Sequence, residues 1–227
     1  MPQRFVKICC IKSVAEARLV ISAGASAIGF VSDMPSGPGV ISEDLIAEIA
    51  RSIPPAVSSF LLTQQQAANA IIKQHRICKT TAIQMADAVP TDELRELRRA
   101  LPGVKLVQVI HVVDAASVKA AHVAAPFVDA LLLDSGQPNA AIKTLGGTGR
   151  THDWALSREI CDALQVPVFL AGGISAHNVA QAVAAVNPFG VDLCSSVRTD
   201  DHLDETKLRT FFAAVRQVKA VKTVYLF

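Results

Sequence analysis

Short apolar runs alternate along this chain with longer segments whose apolar residues recur at helical spacing. The runs fall at 5–11, 27–31, 57–62, 82–85, 106–113, 128–133, 168–171 and 191–194. Most are apolar on both faces, as strands of a parallel sheet covered on both sides must be. Helix starts sit between them. Ser13-Val14-Ala15-Glu16 and Thr63-Gln64-Gln65-Gln66 fit the capping-box pattern, and Ser42, Thr91, Asp114, Asp153 and Ser175 are expected N-caps. Leu94, Leu97 and Leu101 make an apolar stripe that Pro102-Gly103 stops. Leu208, Phe211, Phe212, Val215 and Val218 give a broad apolar face to a last helix. Eight strand–helix units with no linker between them predict a (β/α)8 barrel, one domain over 1–227. An open doubly wound sheet is the alternative, which periodicity does not separate. Either way, a ligand belongs at the carboxyl ends of the strands.

Composition narrows the function classes. Of 227 residues, 51% are hydrophobic and 19% charged, enough for a large core and against disorder. The formal net charge of +2, with basic residues scattered, gives no nucleic-acid footprint. Cys9, Cys10, Cys78, Cys161 and Cys194 are odd in number and include no CxxC pair, so neither a disulfide framework nor a zinc site is expected. Reduced thiols suit a cytoplasmic protein. No apolar run is long enough to span a membrane. No His/Asp/Glu cluster has metal-ligand spacing, so no metal and no cofactor are expected.

Chemistry concentrates at the strand ends. Asp134 closes the apolar run Leu131-Leu132-Leu133, surroundings expected to raise a carboxyl pKa toward general-acid use. Gly146-Gly147-Thr148-Gly149, leading to Asp153-Trp154, offers unhindered N–H groups before a helix, which suit a phosphate. Gly172-Gly173 forms a second glycine turn, and Ser195-Ser196 end the last strand where such barrels often hold phosphate. Lys7-Ile8-Cys9-Cys10 ends the first strand, and alternation sends the two thiols to opposite sides. A buried thiol is ordinarily inert packing; Cys9 is singled out by its strand end and by Lys7 nearby. Asp192, Gln84 and His111 are further candidate ligands at this rim.

These segments, in order, resemble the phosphoribosylanthranilate isomerase family of tryptophan biosynthesis over nearly the whole chain. Lys7-Ile8-Cys9, Gly29-Phe30-Val31, Ile83-Gln84, Leu133-Asp134-Ser135, GGTG-x3-DW, AGGI-x3-NV and Gly190-Val191-Asp192 with Ser195 carry the resemblance. It implies an aldose–ketose isomerase with Cys9 as general base and Asp134 as general acid. Gly147, Thr148, Gly149, Gly172, Gly173, Ser195 and Ser196 are then the phosphate ligands.

The departures from the family pattern are specific. Pro35-Ser36-Gly37-Pro38-Gly39 lacks the arginine that pairs with the anthranilate carboxylate, and Arg150 or Arg198 are the candidate replacements. Arg198, standing where the family carries an acid, is expected to be a solvated surface charge. Cys10 replaces a glycine, Cys194 a serine, Ser196 a glycine and His152 an aromatic residue. Three readings follow: the isomerase itself, a paralogue acting on a sugar-phosphate amine without the carboxylate, and a silent phosphate-ligand-binding barrel. The expected partner is a small phosphorylated sugar-amine; monomer and homodimer are both open.

Overall fold

A computed structural model describes residues 5–35, 37–136 and 151–218. Eight parallel strands close into a barrel, each pairing with its sequence neighbours and β1 with β8. In chain order they are β1 (Phe5–Ile8), β2 (Ala27–Val31), β3 (Ser58–Thr63), β4 (Ala82–Met85), β5 (Lys105–His111), β6 (Ala130–Asp134), β7 (Val168–Leu170) and β8 (Gly190–Leu193). Helices α1 (Val14–Ala23), α2 (Glu43–Arg51), α3 (Ala68–Cys78), α4 (Thr91–Ala100), α5 (Ala116–Ala124), α6 (Trp154–Ala163), α7 (Val179–Val186) and α8 (Glu205–Gln217) alternate with them. The (β/α)8 architecture expected from the apolar rhythm is therefore present. A two-stranded hairpin, β9 (Arg198–Thr199) and β10 (His202–Leu203), is added before α8.

Alternation along each strand separates two apolar regions. Val6, Ile8, Ile28, Leu61, Ile83, Leu131 and Leu133 pack outward with the helices, while Cys9, Ala27, Phe60, Val109, Leu132 and Phe169 belong to the barrel interior. Leu131 and Leu133 therefore face the helical layer, so of the three leucines only Leu132 shares the Asp134 face. Phe169 stands edge-on to Phe5, Phe60 and Phe189, with centroids 5.3, 6.3 and 5.4 Å away. These rings form an aromatic floor, and their edge-to-face geometry is the favourable one.

The helix starts differ from the capping expectations in instructive ways. Ser13, Ser42 and Asp153 cap as expected, accepting from the N–H groups of Glu16, Leu45 and Ala155. Glu16, however, does not complete the box: its carboxylate accepts from the Lys12 N–H. Thr63 lies inside β3, and α3 is capped across space by Glu93, which accepts from the Ala68 N–H. Thr91 is already helical, with Pro90 before it. Asp114 accepts from the Ala116 N–H one residue ahead of the cap position, and Asn178 rather than Ser175 precedes α7.

Candidate active site

The first wall of the barrel mouth is built by β1, β2 and β8. Lys7 is fully buried and its ammonium donates to Asp192 Oδ1 at 2.9 Å, 5.4 Å above the Phe60 ring. Burial opposes its charge, but Asp192 and the neighbouring thiols outweigh it and hold the pKa above the usual lysine value. Burial, with the Asp134 carboxylate adding to it, pushes Asp192 up, while Lys7 pulls it down. Gly29 makes the space: a Cβ there would lie 2.9 Å from both Cys9 Sγ and Lys7 Nζ. Ammonium and thiol thus flank one point on the interior surface. The Cys9 pKa is lowered, chiefly because the Cys10 thiol hydrogen-bonds to it; burial opposes this, and Lys7 adds to the lowering.

Cys10 does not sit on the opposite side of the strand from Cys9, as simple alternation implied. Its φ of 63° is left-handed, so β1 ends at Ile8 and the chain turns, bringing both thiols into the interior cluster. The Cys10 thiol also interacts with Cys194, and its pKa is raised well above the ordinary value, first by Cys194 and then by Cys9 and burial. Cys78 and Cys161, far from the mouth, are each pushed up to about 12 by burial. Of these four thiols, Cys9 is the one held low.

The facing wall is carried by β4, β5 and β6. Asp134 ends β6 on the same face as Leu132, is buried, and accepts from the Ser135 N–H at 2.7 Å. His111 pairs in register with it on β5; its Nε2 meets the Ala86 carbonyl at 2.9 Å, while Nδ1 is buried without a partner among the described residues. Gln84, buried on β4, also leaves its Oε1 unpaired among the described residues. His152, absent from the expected ligand set, belongs to this wall. Its Nε2 meets Ser157 Oγ at 2.7 Å, and its Nδ1 lies 3.0 Å from where a Gly172 Cβ would stand. Burial lowers its pKa, opposed by Asp134 and Asp153. The available signal was that it stands where the resembling family carries an aromatic residue.

Gly172 and Gly173, after β7, have φ of 76° and 63°, conformations that glycine adopts at little cost. Asn178 fastens the turn: its Nδ2 donates to the Gly173 carbonyl and its Oδ1 accepts from the Ser175 N–H. Next to it, Ser195 and Ser196 begin a 3₁₀ turn after β8, with the Ser196 hydroxyl buried and unpaired among the described residues. Gly147, Thr148, Gly149 and Arg150 lie outside the described residues.

Arg198 is not a solvated surface charge. It is 7% exposed, and both Nη atoms pair with the Glu16 carboxylate, at 3.1 and 2.9 Å. It also donates to the carbonyls of Asp201, at 3.0 Å, and Cys10. Both Nη atoms are thus taken up by these partners, and Nε is buried without a partner among the described residues. Lys12 is likewise engaged, by Asp201.

A family model described as N-(5'phosphoribosyl)anthranilate (PRA) isomerase matches residues 6–214. An N-(5'-phosphoribosyl)anthranilate isomerase of Methanocella arvoryzae is 35% identical over 215 residues, covering 94% of this chain and 99% of the relative. One from Halorubrum lacusprofundi is 36% identical over 210 residues, covering 92% and 94%. The solved phosphoribosyl anthranilate isomerase of Thermotoga maritima superposes with a TM-score of 0.81 at 25% identity, covering 94% of this chain and 98% of that one. With the closed eight-stranded barrel and the match over almost its whole length, this chain belongs to the N-(5'-phosphoribosyl)anthranilate isomerase family.

Proposed function

We propose that the chain isomerises N-(5'-phosphoribosyl)anthranilate to the corresponding ketose, with Cys9 as general base and Asp134 as general acid. The observation that carries this reading is a buried thiol of lowered pKa just after β1 and a buried carboxyl ending β6, both at the carboxyl end of the barrel. Asp134 protonates the furanose ring oxygen, the C1–O bond opens, and a Schiff base forms with the aryl amine. The Cys9 thiolate then takes the C2 proton, and the electron pair moves toward the iminium to give an enol-amine. Tautomerisation of the enol-amine yields the ketose. Lys7, fixed in place by its bond to Asp192, keeps a positive charge beside the thiolate. The phosphate is held by N–H groups of Gly172, Gly173, Ser195 and Ser196, with Gly147, Thr148 and Gly149 completing the cradle. A related solved structure, TM-score 0.78, is of an isomerase in complex with reduced 1-(o-carboxyphenylamino)-1-deoxyribulose 5-phosphate, the class of product expected here.

One observation favours a second reading. The loop after β2 carries no arginine, and Lys7, Lys12 and Arg198 are all ion-paired. A substrate without the aryl carboxylate fits that arrangement. Expression in a strain lacking the tryptophan isomerase separates the two. Growth restored by the wild type but by neither Cys9→Ala nor Asp134→Asn supports the first; no growth, with turnover of another phosphoribosyl amine, supports the second. Ligand binding without turnover of any amine overturns both.

A further inference from the structure

Cys10 and Arg198 are two departures from the family pattern, and the structure joins them. Residue 10 has φ of 63°, which glycine adopts freely and a residue with a Cβ seldom does. This backbone turn sets where Cys9 points. It is bounded by the Cys9 N–H bond to the Leu193 carbonyl and by the Ile11 N–H bond to the Gly29 carbonyl. Between them, the Cys10 carbonyl accepts from Arg198 Nη2. Arg198 is itself immobilised by the two-pronged pairing with Glu16 on α1 and by the Asp201 carbonyl. It is presented by the β9–β10 hairpin, whose turn residues Asp200 and Asp201 both have positive φ, as tight hairpin turns of this kind require. On its other side, Cys10 presses on Gly39: a Cβ at Gly39 would lie 2.5 Å from the Cys10 Cβ.

We propose that Arg198, locked by Glu16, is a positioning residue for Cys9: it grips the Cys10 carbonyl and holds a non-glycine residue in the left-handed turn that keeps the Cys9 thiol facing the barrel interior. A glycine at position 10 would need no such grip. The two departures are one compensated change, with Arg198 required because Cys10 is present. The proposal rests on the reading of Cys9 as the base.

The test is a double-mutant cycle of Arg198→Met and Cys10→Gly in the full-length protein, with phosphoribosylanthranilate turnover and Cys9-specific alkylation by iodoacetamide, read by mass spectrometry. In the parent, Arg198→Met should lower kcat by about 10- to 100-fold with KM little changed, as for a misplaced reacting group. It should also slow Cys9 alkylation. Measured against Cys10→Gly, the same change should cost less than about 3-fold, since its target strain is gone. Arg198→Lys keeps the charge but cannot fork between Glu16 and the Cys10 carbonyl. It should behave like Arg198→Met, and it also serves if Arg198→Met fails to fold. Equal losses in both backgrounds, or an unchanged alkylation rate, overturn the proposal. If Cys9→Ser retains full activity, the base assignment fails instead, and the alkylation cycle still decides whether Arg198 positions the thiol.

Discussion

Lys7→Met tests how the first wall sets the reactivity of Cys9. The ammonium and the Cys9 sulfur each lie 2.9 Å from the same point over Gly29, so they are separated by no more than twice that distance. At that spacing and an effective dielectric near 20, a positive charge favours the thiolate by about 3 kcal/mol, or roughly two pKa units. Asp192, hydrogen-bonded to the ammonium, opposes part of this. Removing Lys7 should therefore raise the Cys9 pKa, with the Cys10 hydrogen bond left to hold it down. The pH dependence of Cys9 alkylation by iodoacetamide reads this directly, and kcat/KM near neutral pH should fall in parallel with the thiolate fraction. Cys78 and Cys161, held up to about 12 by burial, provide slow internal references.

The same variant has a stability signature. Asp192 is left buried without its cation, a situation that costs about 3–5 kcal/mol when a buried pair loses one partner. Its carboxyl can escape by protonating, so its folded pKa should rise further above the unfolded value. The folded state then binds more protons than the unfolded state. Stability is fully present below the ordinary carboxyl pKa and is lost as pH rises through the raised folded value, by at most about 1.4 kcal/mol per pH unit. Lys7→Met/Asp192→Asn, which removes both charges, should lack this slope in urea denaturation. A Cys9 titration within about half a unit of wild type in Lys7→Met would refute the electrostatic account.

Two further outcomes follow from the geometry. Gly29→Ala places a methyl 2.9 Å from Cys9 Sγ and Lys7 Nζ, both buried with little room to yield; a stability loss of about 1–3 kcal/mol by urea denaturation is expected, together with reduced kcat. Burial would push Glu16 up, but Arg198 and the N–H of Lys12 hold its pKa below the ordinary value. A depressed carboxyl stabilises above its unfolded pKa and loses that contribution as pH falls through the folded pKa. The Tm gap between wild type and Glu16→Gln should therefore be open at neutral pH and close in acid; a gap independent of pH would contradict it.

The apolar runs showed where the eight strands lie because a barrel strand is buried on both faces, and that property is local. Which face turns inward is not local. Leu131 and Leu133 look like a pocket around Asp134 in sequence, yet the pleat sends both to the helices. Cys10 was misplaced for a related reason: alternation holds only while the backbone stays extended, and φ of 63° ends it. The capping bonds that went astray were made across space, as when Glu93 caps α3. Arg198 was misread because its partner Glu16 stands 182 residues earlier in the chain. An isolated arginine in sequence carries no sign of such a partner. His152 was legible only as an aromatic replaced, and its place beside Asp134 emerges from the closure of β6 against β7.

Cys10, Gly39, Arg198 and Glu16 meet at one edge of the barrel, so restoring the family-typical acid at position 198 while Cys10 stays in place should do harm. Arg198→Glu is the sharpest case, because it returns the acid that the resembling family carries. The new carboxylate would face Glu16, whose side chain is 15% exposed, and the Cys10 carbonyl would lose its donor. A buried pair turned into two like charges leaves each uncompensated. The expected cost exceeds the roughly 3–5 kcal/mol that removal of the arginine alone would cause by leaving one buried charge unpaired. Adding Glu16→Arg restores opposite charges and should recover part of the stability. It should not recover kcat, because the guanidinium would then sit on α1 instead of on the hairpin that reaches the Cys10 carbonyl. Urea denaturation of Arg198→Glu, Arg198→Met and the charge-swapped double variant, each paired with kcat, separates the two contributions. Equal stability of Arg198→Glu and Arg198→Met would mean that Glu16 does not feel the charge at position 198, and the coupling across this edge would fail with it.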